Sequence, residues 1–413
     1  MNTFMIVFLT LLGLSLLTEL WLASRHIRHV AANRAAVPKA FRNKITLEDH
    51  QKAADYTMTH TRFGRIENVY GTVLLLIWTL GGGLEWLDQL CRGLGWGELS
   101  TGTVFIVGGF VFMGLLGLPM SVYQTFVIEN RFGFNKTSPR LFLADMIKKV
   151  LLLGLLGAPL AIAVLWLMQE TGALWWVYVW LLWSGFTLLL IWAYPALIAP
   201  IFNKFTPLKE GSVRERIQSL LERTGFRSRG IFVMDGSRRS AHGNAYFTGF
   251  GKTKRIVFFD TLLEHLGEKE IEAVLAHELG HFKRRHVMKR MLLTFGFSLA
   301  GLAILGWLVT QPWFYIGLGL SQPSTHAALM LFMLTVPVFT FFLQPLLAWG
   351  SRRHEYEADS FAAEQTDAGE LVSALVKLYR ENASTLTPDP LHSAFYDSHP
   401  PAALRIAHLA DKT

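Results

Sequence analysis

Ala276-His277-Glu278-Leu279-Gly280-His281 decides how the rest of this chain is read. Its pattern is H-E-x-x-H. On a helix, residues four apart share a face, so His277 and His281 can aim imidazole nitrogens at one metal ion. Glu278, one step round, falls beside the open coordination position, where a carboxylate can take a proton from water. The flanks support a helix. Glu268 and Glu270 stand near its start and Lys283, Arg284 and Arg285 near its end, the signs the helix dipole favours. An exposed helix carrying two histidines by accident would show the same letters, because short patterns recur. The surrounding sequence separates the two readings.

The chain has 413 residues, of which 51% are hydrophobic and 17% charged, with a mean hydropathy of +0.32. A soluble domain has about 25% charged residues. The deficit, with 13 Trp and 30 Phe, indicates a protein that crosses a membrane several times. A single cysteine, Cys91, excludes an internal disulfide and a cysteine-based zinc site, so a metal must use histidines and carboxylates. The net charge of +8 might suggest nucleic acid, but the basic residues cluster beside apolar segments. That distribution marks a cytoplasmic membrane flank; the expected partner is the lipid bilayer and not nucleic acid.

Residues 3–23 form an apolar stretch of roughly 20 positions, enough to cross a bilayer. No positive charge precedes it, the run is too long for a signal peptide, and no small-residue cleavage site follows, so a retained helix is expected. Residues 25–65 carry Arg25, Arg28, Arg34, Lys39, Arg42, Lys44, Lys52, Arg62 and Arg65 and are expected to form a cytoplasmic loop. Further spans are expected at 69–90, 103–126, 150–167, 174–198, 291–309 and 327–349, seven in all. The loop 128–149 holds Arg131, Lys136, Arg140, Lys148 and Lys149, whereas the turns near 92–100, 168–173 and 311–325 hold only Arg92. This asymmetry puts the N-terminus outside and the loops 25–65 and 128–149, the segment 200–290 and the C-terminus inside.

Two stretches are water-soluble in character, 203–290 and 350–413, and they flank the last two spans. The first predicts an amphipathic helix over 213–224, strands over 230–234, 245–248 and 255–259, and then the H-E-x-x-H helix, the element order of the zincin metallopeptidase fold. The second reads as helical, with an elbow at His399-Pro400-Pro401. The expected fold is a mainly α membrane protein. Seven transmembrane helices carry a cytoplasmic zincin-like α+β metalloprotease domain that the last two helices split. The expected divisions are a membrane domain of five spans (1–202), a zincin-like domain (203–290), two transmembrane helices (291–349) and the C-terminal part of the protease domain (350–413).

Two histidines leave a catalytic zinc one protein ligand short. After Trp349 comes Ser351-Arg352-Arg353-His354-Glu355-Tyr356-Glu357-Ala358-Asp359. Glu355 and Asp359 share a helical face, so Glu355 can bind metal while Asp359 holds a ligand histidine by its other ring nitrogen. Glu357 falls on another face and is expected to meet solvent. His354 is a ligand in principle, and the run also fits an ordinary charged membrane flank.

This S-R-x-x-E-Y-x-A-D run, two spans after H-E-x-x-H, resembles the type I CAAX prenyl protease family, integral-membrane zinc metalloendopeptidases of endoplasmic reticulum and bacterial membranes. The resemblance covers nearly the whole chain. It includes Phe126-Val127-Ile128-Glu129, the run from Ala199-Pro200-Ile201-Phe202 to Pro207-Leu208, the run from Gly236-Ser237-Arg238 to Asn244-Ala245-Tyr246-Phe247, Phe259-Asp260-Thr261-Leu262-Leu263 and Ser398-His399-Pro400-Pro401. It implies one Zn2+ per chain on His277, His281 and Glu355, with Glu278 as general base. It also implies seven helices around a water-filled intramembrane chamber capped by the protease domain. His399 and Arg405 are candidate donors to the oxyanion of the substrate, as the matching positions face the site in the family; the bland alternative for His399 is a turn cap before Pro400. Asn244, Ala245 and Tyr246 look like the edge strand that holds an extended peptide, the alternative being an ordinary strand. His286 is expected to be structural and not a ligand, His242 to sit exposed in a turn, and Glu19 and Asp88 to line a cavity or an interface.

The connection 264–272 is short where yeast and animal members carry a longer acidic insertion, and no endoplasmic-reticulum retrieval tail is present. Both features suggest a bacterial member, in the inner membrane with the active site on the cytoplasmic side. The function so implied is a membrane zinc metalloendopeptidase doing CAAX-type C-terminal processing of a peptide or protein substrate, prenylated or not. A rival is a membrane-protein quality-control protease with no prenyl requirement. A rival of another class is a transporter or scaffold with a structural zinc site, which would normally be closed by four protein ligands.

Overall fold

The computed structural model describes residues 2–249 and 254–410. Helix α1 (Thr3–Asn33) starts where Asn2 Oδ1 accepts the Met5 amide at 2.8 Å. Helices α2 (Leu47–Trp78) and α3 (Gly83–Arg92) follow. Helix α4 (Glu98–Tyr123) runs on through a π-helical turn, Gln124–Glu129. Helices α5 (Pro139–Leu152) and α6 (Ala158–Glu170) are joined by a similar turn, as are α7 (Trp175–Ala193) and α8 (Ala199–Phe202). Among the described residues, six helical rods are long and apolar enough to cross a membrane: Thr3–Asn33, Glu98–Glu129, Pro139–Glu170, Gly172–Phe202, His286–Leu308 and Thr325–Gln365. The bent pair α2 and α3 makes a seventh if it counts as one span. Large apolar side chains such as Leu17, Leu151, Leu155 and Leu292 stand exposed along these rods, as expected of surfaces that lipid covers.

Two expectations need correction here. The segment 25–65 is mostly helix and not loop: α1 continues to Asn33 and α2 begins at Leu47. Polar pairing holds the two together as a hairpin. Arg34 and Asp55 are 2.7 Å apart, and His50 Nε2 lies 2.9 Å from the Asn33 carbonyl. The span expected at 69–90 is broken by a 48° bend between α2 and α3. Gly81-Gly82-Gly83 makes the bend: Gly82 has φ +80°, and a Cβ on Gly81 would lie 2.8 Å from Ile77 Cα.

The second half of the chain builds a four-stranded sheet from β1 (Phe205–Pro207), β2 (Ile231–Met234), β3 (Ala245–Thr248) and β4 (Arg255–Phe259), in the order β1-β2-β4-β3. β2 and β4 are parallel and the outer pairs antiparallel. The three longer strands lie where the sequence predicts them; the three-residue β1 carries no alternating pattern and ends in proline, which hid it. Helix α9 (Ser212–Arg223) precedes β2, and α10 (Asp260–His265) leads into α11 (Glu268–Lys283), the H-E-x-x-H helix. Glu270 anchors the start of α11: its carboxylate accepts the Gly267 amide at 2.6 Å and meets Lys377 Nζ at 2.7 Å.

The chain then goes out on α12 (His286–Leu308), turns through α13 (Pro312–Gly317) and returns on α14 (Thr325–Thr340). A 3-10 turn, Phe341–Leu343, passes straight into α15 (Gln344–Gln365). Helices α16 (Ala368–Glu381), α17 (Pro390–Tyr396) and α18 (Ala402–Ala410) close the fold. One apolar core draws on both sides of the membrane excursion: Ile217, Leu220, Ile256, Phe258, Leu275 and Leu279 pack with Phe361, Ala362, Leu371, Leu375 and Leu409.

Candidate metal centre and active site

The site forms where α11 crosses α15. The crossing is close because Gly280 has no side chain: a Cβ there would lie 2.8 Å from Ala358 Cα and 3.0 Å from its carbonyl oxygen. This contact brings Glu355 onto the histidine face of α11. His277 Nε2 and His281 Nε2 are 3.2 Å apart, Glu355 Oε1 is 3.2 Å from His281 Nε2, and Glu355 Oε2 is 3.5 Å from His277 Nε2. One ligand atom from each of the three residues falls within a 4.8 Å cluster. Two imidazole nitrogens and a carboxylate oxygen facing one another hold lone pairs that repel unless a proton or a metal cation sits between them. Glu355 Oε2 is buried and accepts no well-directed hydrogen bond, although His399 Nδ1 lies 2.7 Å away. The residues therefore fit a divalent cation bound by two histidines and a carboxylate, a donor set zinc favours.

Each histidine is held from behind. His277 Nδ1 is 2.8 Å from Asp359 Oδ1, one turn along α15 from Glu355, as the spacing predicts. Arg405 from α18 grips the same carboxylate, with Nε 2.8 Å from Oδ2. Its Nη2 also lies 3.3 Å from His277 Nδ1, but that ring nitrogen gives its proton to Asp359, so it has no lone pair for arginine. The guanidinium is buried and committed to Asp359, with Nη1 3.8 Å from Glu355 Oε2. Burial works against a charged His277, but the carboxylates of Asp359 and Glu355 outweigh it and push the imidazole up to about 9. A cation must displace that proton, so metal uptake weakens as pH falls.

Glu278 is partly buried and has no polar partner among the described residues. A free carboxylate next to the ligands is what a general base requires. His399 is 62% exposed at its side chain and reaches over Glu355. Asn244, Ala245 and Tyr246 lie at and just before β3, whose one neighbouring strand among the described residues is β4, so no described strand pairs with its outer edge. The Asn244 side chain accepts the Ala245 amide at 2.8 Å, and its carbonyl accepts the Phe259 amide.

Three residues behave differently from expectation. Glu357 is only partly exposed and is not free in solvent: it lies 3.0 Å from Nε2 of His286, whose Nδ1 is 3.0 Å from His281 Nδ1. His242 is not free in its turn: it stacks on Phe134 at 4.3 Å and sits 3.2 Å from Asn382 Oδ1. His354 is no ligand but stacks on His286 with ring centroids 4.1 Å apart. Sequence reasoning also missed Glu129, which meets Tyr56 Oη at 3.0 Å and His60 Nε2 at 2.8 Å and so ties the membrane helices to the 242–246 segment through His242. Its place in the quoted Phe126-Val127-Ile128-Glu129 run was the available signal.

Residues 26–204 match the family model described as CAAX prenyl protease N-terminal, five membrane helices, and residues 207–413 match peptidase family M48. The CAAX prenyl protease 1 homolog of Oryza sativa is 35% identical, covering 93% of this chain and 92% of that protein. The Homo sapiens CAAX prenyl protease 1 homolog is 32% identical, with 95% and 92% covered. The crystal structure of S. mikatae Ste24p superposes with a TM-score of 0.91 at 28% identity, covering 99% of both chains. The two histidines and the returning carboxylate thus belong to a membrane-embedded metalloprotease, and the chain is a member of the CAAX prenyl protease family of M48 peptidases.

Proposed function

We propose that this metalloprotease uses zinc, held by His277, His281 and Glu355, to cut CAAX-type peptides or proteins near the C-terminus at the cytoplasmic face of the membrane. The observation that carries the reading is the convergence of Glu355 on both histidines, beside an unpaired Glu278. A bound zinc ion supplies Lewis acidity, which polarises the scissile carbonyl and makes water acidic near neutral pH. Glu278 takes the proton of the attacking water and returns it to the leaving amine. His399, exposed above Glu355, donates to the substrate oxyanion. Arg405, expected with His399 as an oxyanion donor, is instead, in this reading, the residue that holds Asp359, which holds His277 in the tautomer that turns Nε2 outward. The outer edge of β3, with Asn244, Ala245 and Tyr246, pairs with an extended peptide by main-chain hydrogen bonds, an arrangement with little side-chain preference.

The CAAX substrate is supported by the relatives, which are CAAX prenyl protease 1 homologs, and the cytoplasmic placement by the basic segments 25–65 and 128–149. Placement in a bacterial inner membrane is supported by the short 264–272 connection; the relatives named above are eukaryotic. Substrate choice is tested by one peptide offered with and without a farnesyl group. Cleavage of the prenylated form is expected to be at least about 10-fold faster, since burying each apolar carbon contributes about 0.8 kcal/mol. Equal rates would overturn the CAAX reading in favour of quality control. Chelation is expected to abolish cleavage of both peptides and zinc to restore it.

A further inference from the structure

His281 is supported differently from His277. Its Nδ1 faces Nδ1 of another histidine, His286, at 3.0 Å, and His286 Nε2 faces Glu357 Oε2 at 3.0 Å. Protons can be assigned along this chain in one consistent way. A carboxylate accepts, so His286 carries its proton on Nε2 and leaves Nδ1 with a lone pair. That lone pair accepts the Nδ1 proton of His281, and His281 is left with an unprotonated Nε2 directed at Glu355 and His277.

The placement is built and not incidental. His286 is 2% exposed, and the His354 ring lies almost parallel over it, 12° off. The residue before it, Arg285, adopts φ +56° and ψ +33°, a left-handed conformation that non-glycine residues rarely take. Helix α11 ends at Lys283 and α12 begins at His286, so this one turn swings His286 back against His281. Backbone of this kind gathers at sites where geometry matters.

We propose that His286 and Glu357 are positioning residues for the metal, acting on His281 by fixing its tautomer and ring orientation. A single segment of α15 then serves both histidines: Glu355 as ligand, Asp359 behind His277, and Glu357 behind His281 through His286. The inference rests on His281 being a metal ligand.

The test uses the full-length protein in detergent, loaded with zinc for chelator competition and with cobalt for its visible absorption. His286→Leu is expected to weaken zinc binding by about 10- to 100-fold, the usual cost of losing such a partner, and to shift the cobalt spectrum. His286→Asn, whose side-chain oxygen can replace the Nδ1 acceptor, is expected to recover most of the affinity. Glu357→Ala, at a partly exposed position, covers the case in which His286→Leu fails to fold, and is expected to weaken zinc in the same direction. Parental affinity and spectrum in folded His286→Leu or Glu357→Ala would overturn the proposal. So would a lower melting temperature with unchanged metal properties, which marks a residue that only packs. If the parental protein binds no metal, the metal-centre reading falls and takes this inference with it; variants equal to a metal-binding parent sink the inference alone.

Discussion

Glu278→Gln is expected to keep its full complement of zinc and lose nearly all peptide cleavage. The side chain is not one of the three converging ligands, so metal content should match the parent. Glutamine keeps the size and the hydrogen-bonding reach of glutamate but cannot accept a proton. General base catalysis contributes about 10²–10⁴-fold, so kcat should drop by that amount while KM for a farnesylated CAAX peptide stays within a few-fold. Metal analysis beside steady-state kinetics checks it, and parental turnover in a zinc-loaded variant would rule out the assigned base. His277→Ala gives the contrasting pattern, in which zinc and activity disappear together.

The second large effect is at a residue with no chemistry. Gly280→Ala is expected to lower zinc affinity more than about 10-fold and to lower the melting temperature. Helix propensity favours alanine by about 1 kcal/mol, which would predict stabilisation. The added methyl, however, would meet backbone atoms of Ala358 at 2.8 and 3.0 Å, and a packed backbone cannot swing aside as a flexible side chain would. Overpacking of this sort costs about 1–3 kcal/mol, so the clash wins. Relief requires α11 and α15 to separate, which carries Glu355 away from the histidines. Zinc ligation tolerates only about 0.2 Å. Chelator competition and thermal unfolding of the same preparations decide the matter; unchanged affinity would mean that the helix crossing does not set the site.

The candidate metal helix was readable because its proposed ligands sit on one element, where spacing alone fixes the face they share. The third ligand was harder: Glu355 and Asp359 have the right interval, yet nothing local distinguishes them from a charged flank until family resemblance places them. What escaped the sequence depends on contacts between distant elements. Glu357 looked solvated because only its own helix was considered, whereas its partner His286 comes from the start of α12. The 25–65 segment looked like a loop because it is basic, but helices of two antiparallel arms can satisfy such charges across their interface, as Arg34 and Asp55 do. The bend at Gly81-Gly82-Gly83 had a visible cause in three successive glycines, and the apolar count overrode it.

The last membrane rod, Thr325–Gln365, has a consequence for how the enzyme comes into being, since its end carries Glu355. A nascent chain that has emerged only as far as His281 holds half a catalyst. The remaining ligand requires the ribosome to make the intervening residues up to 355, about 4–15 s of synthesis at ~5–20 residues per second, and both membrane helices to be inserted. On the proposed ligand set, proteolytic competence arrives only with completed insertion, and a stalled or mis-inserted chain is expected to stay inert towards its neighbours.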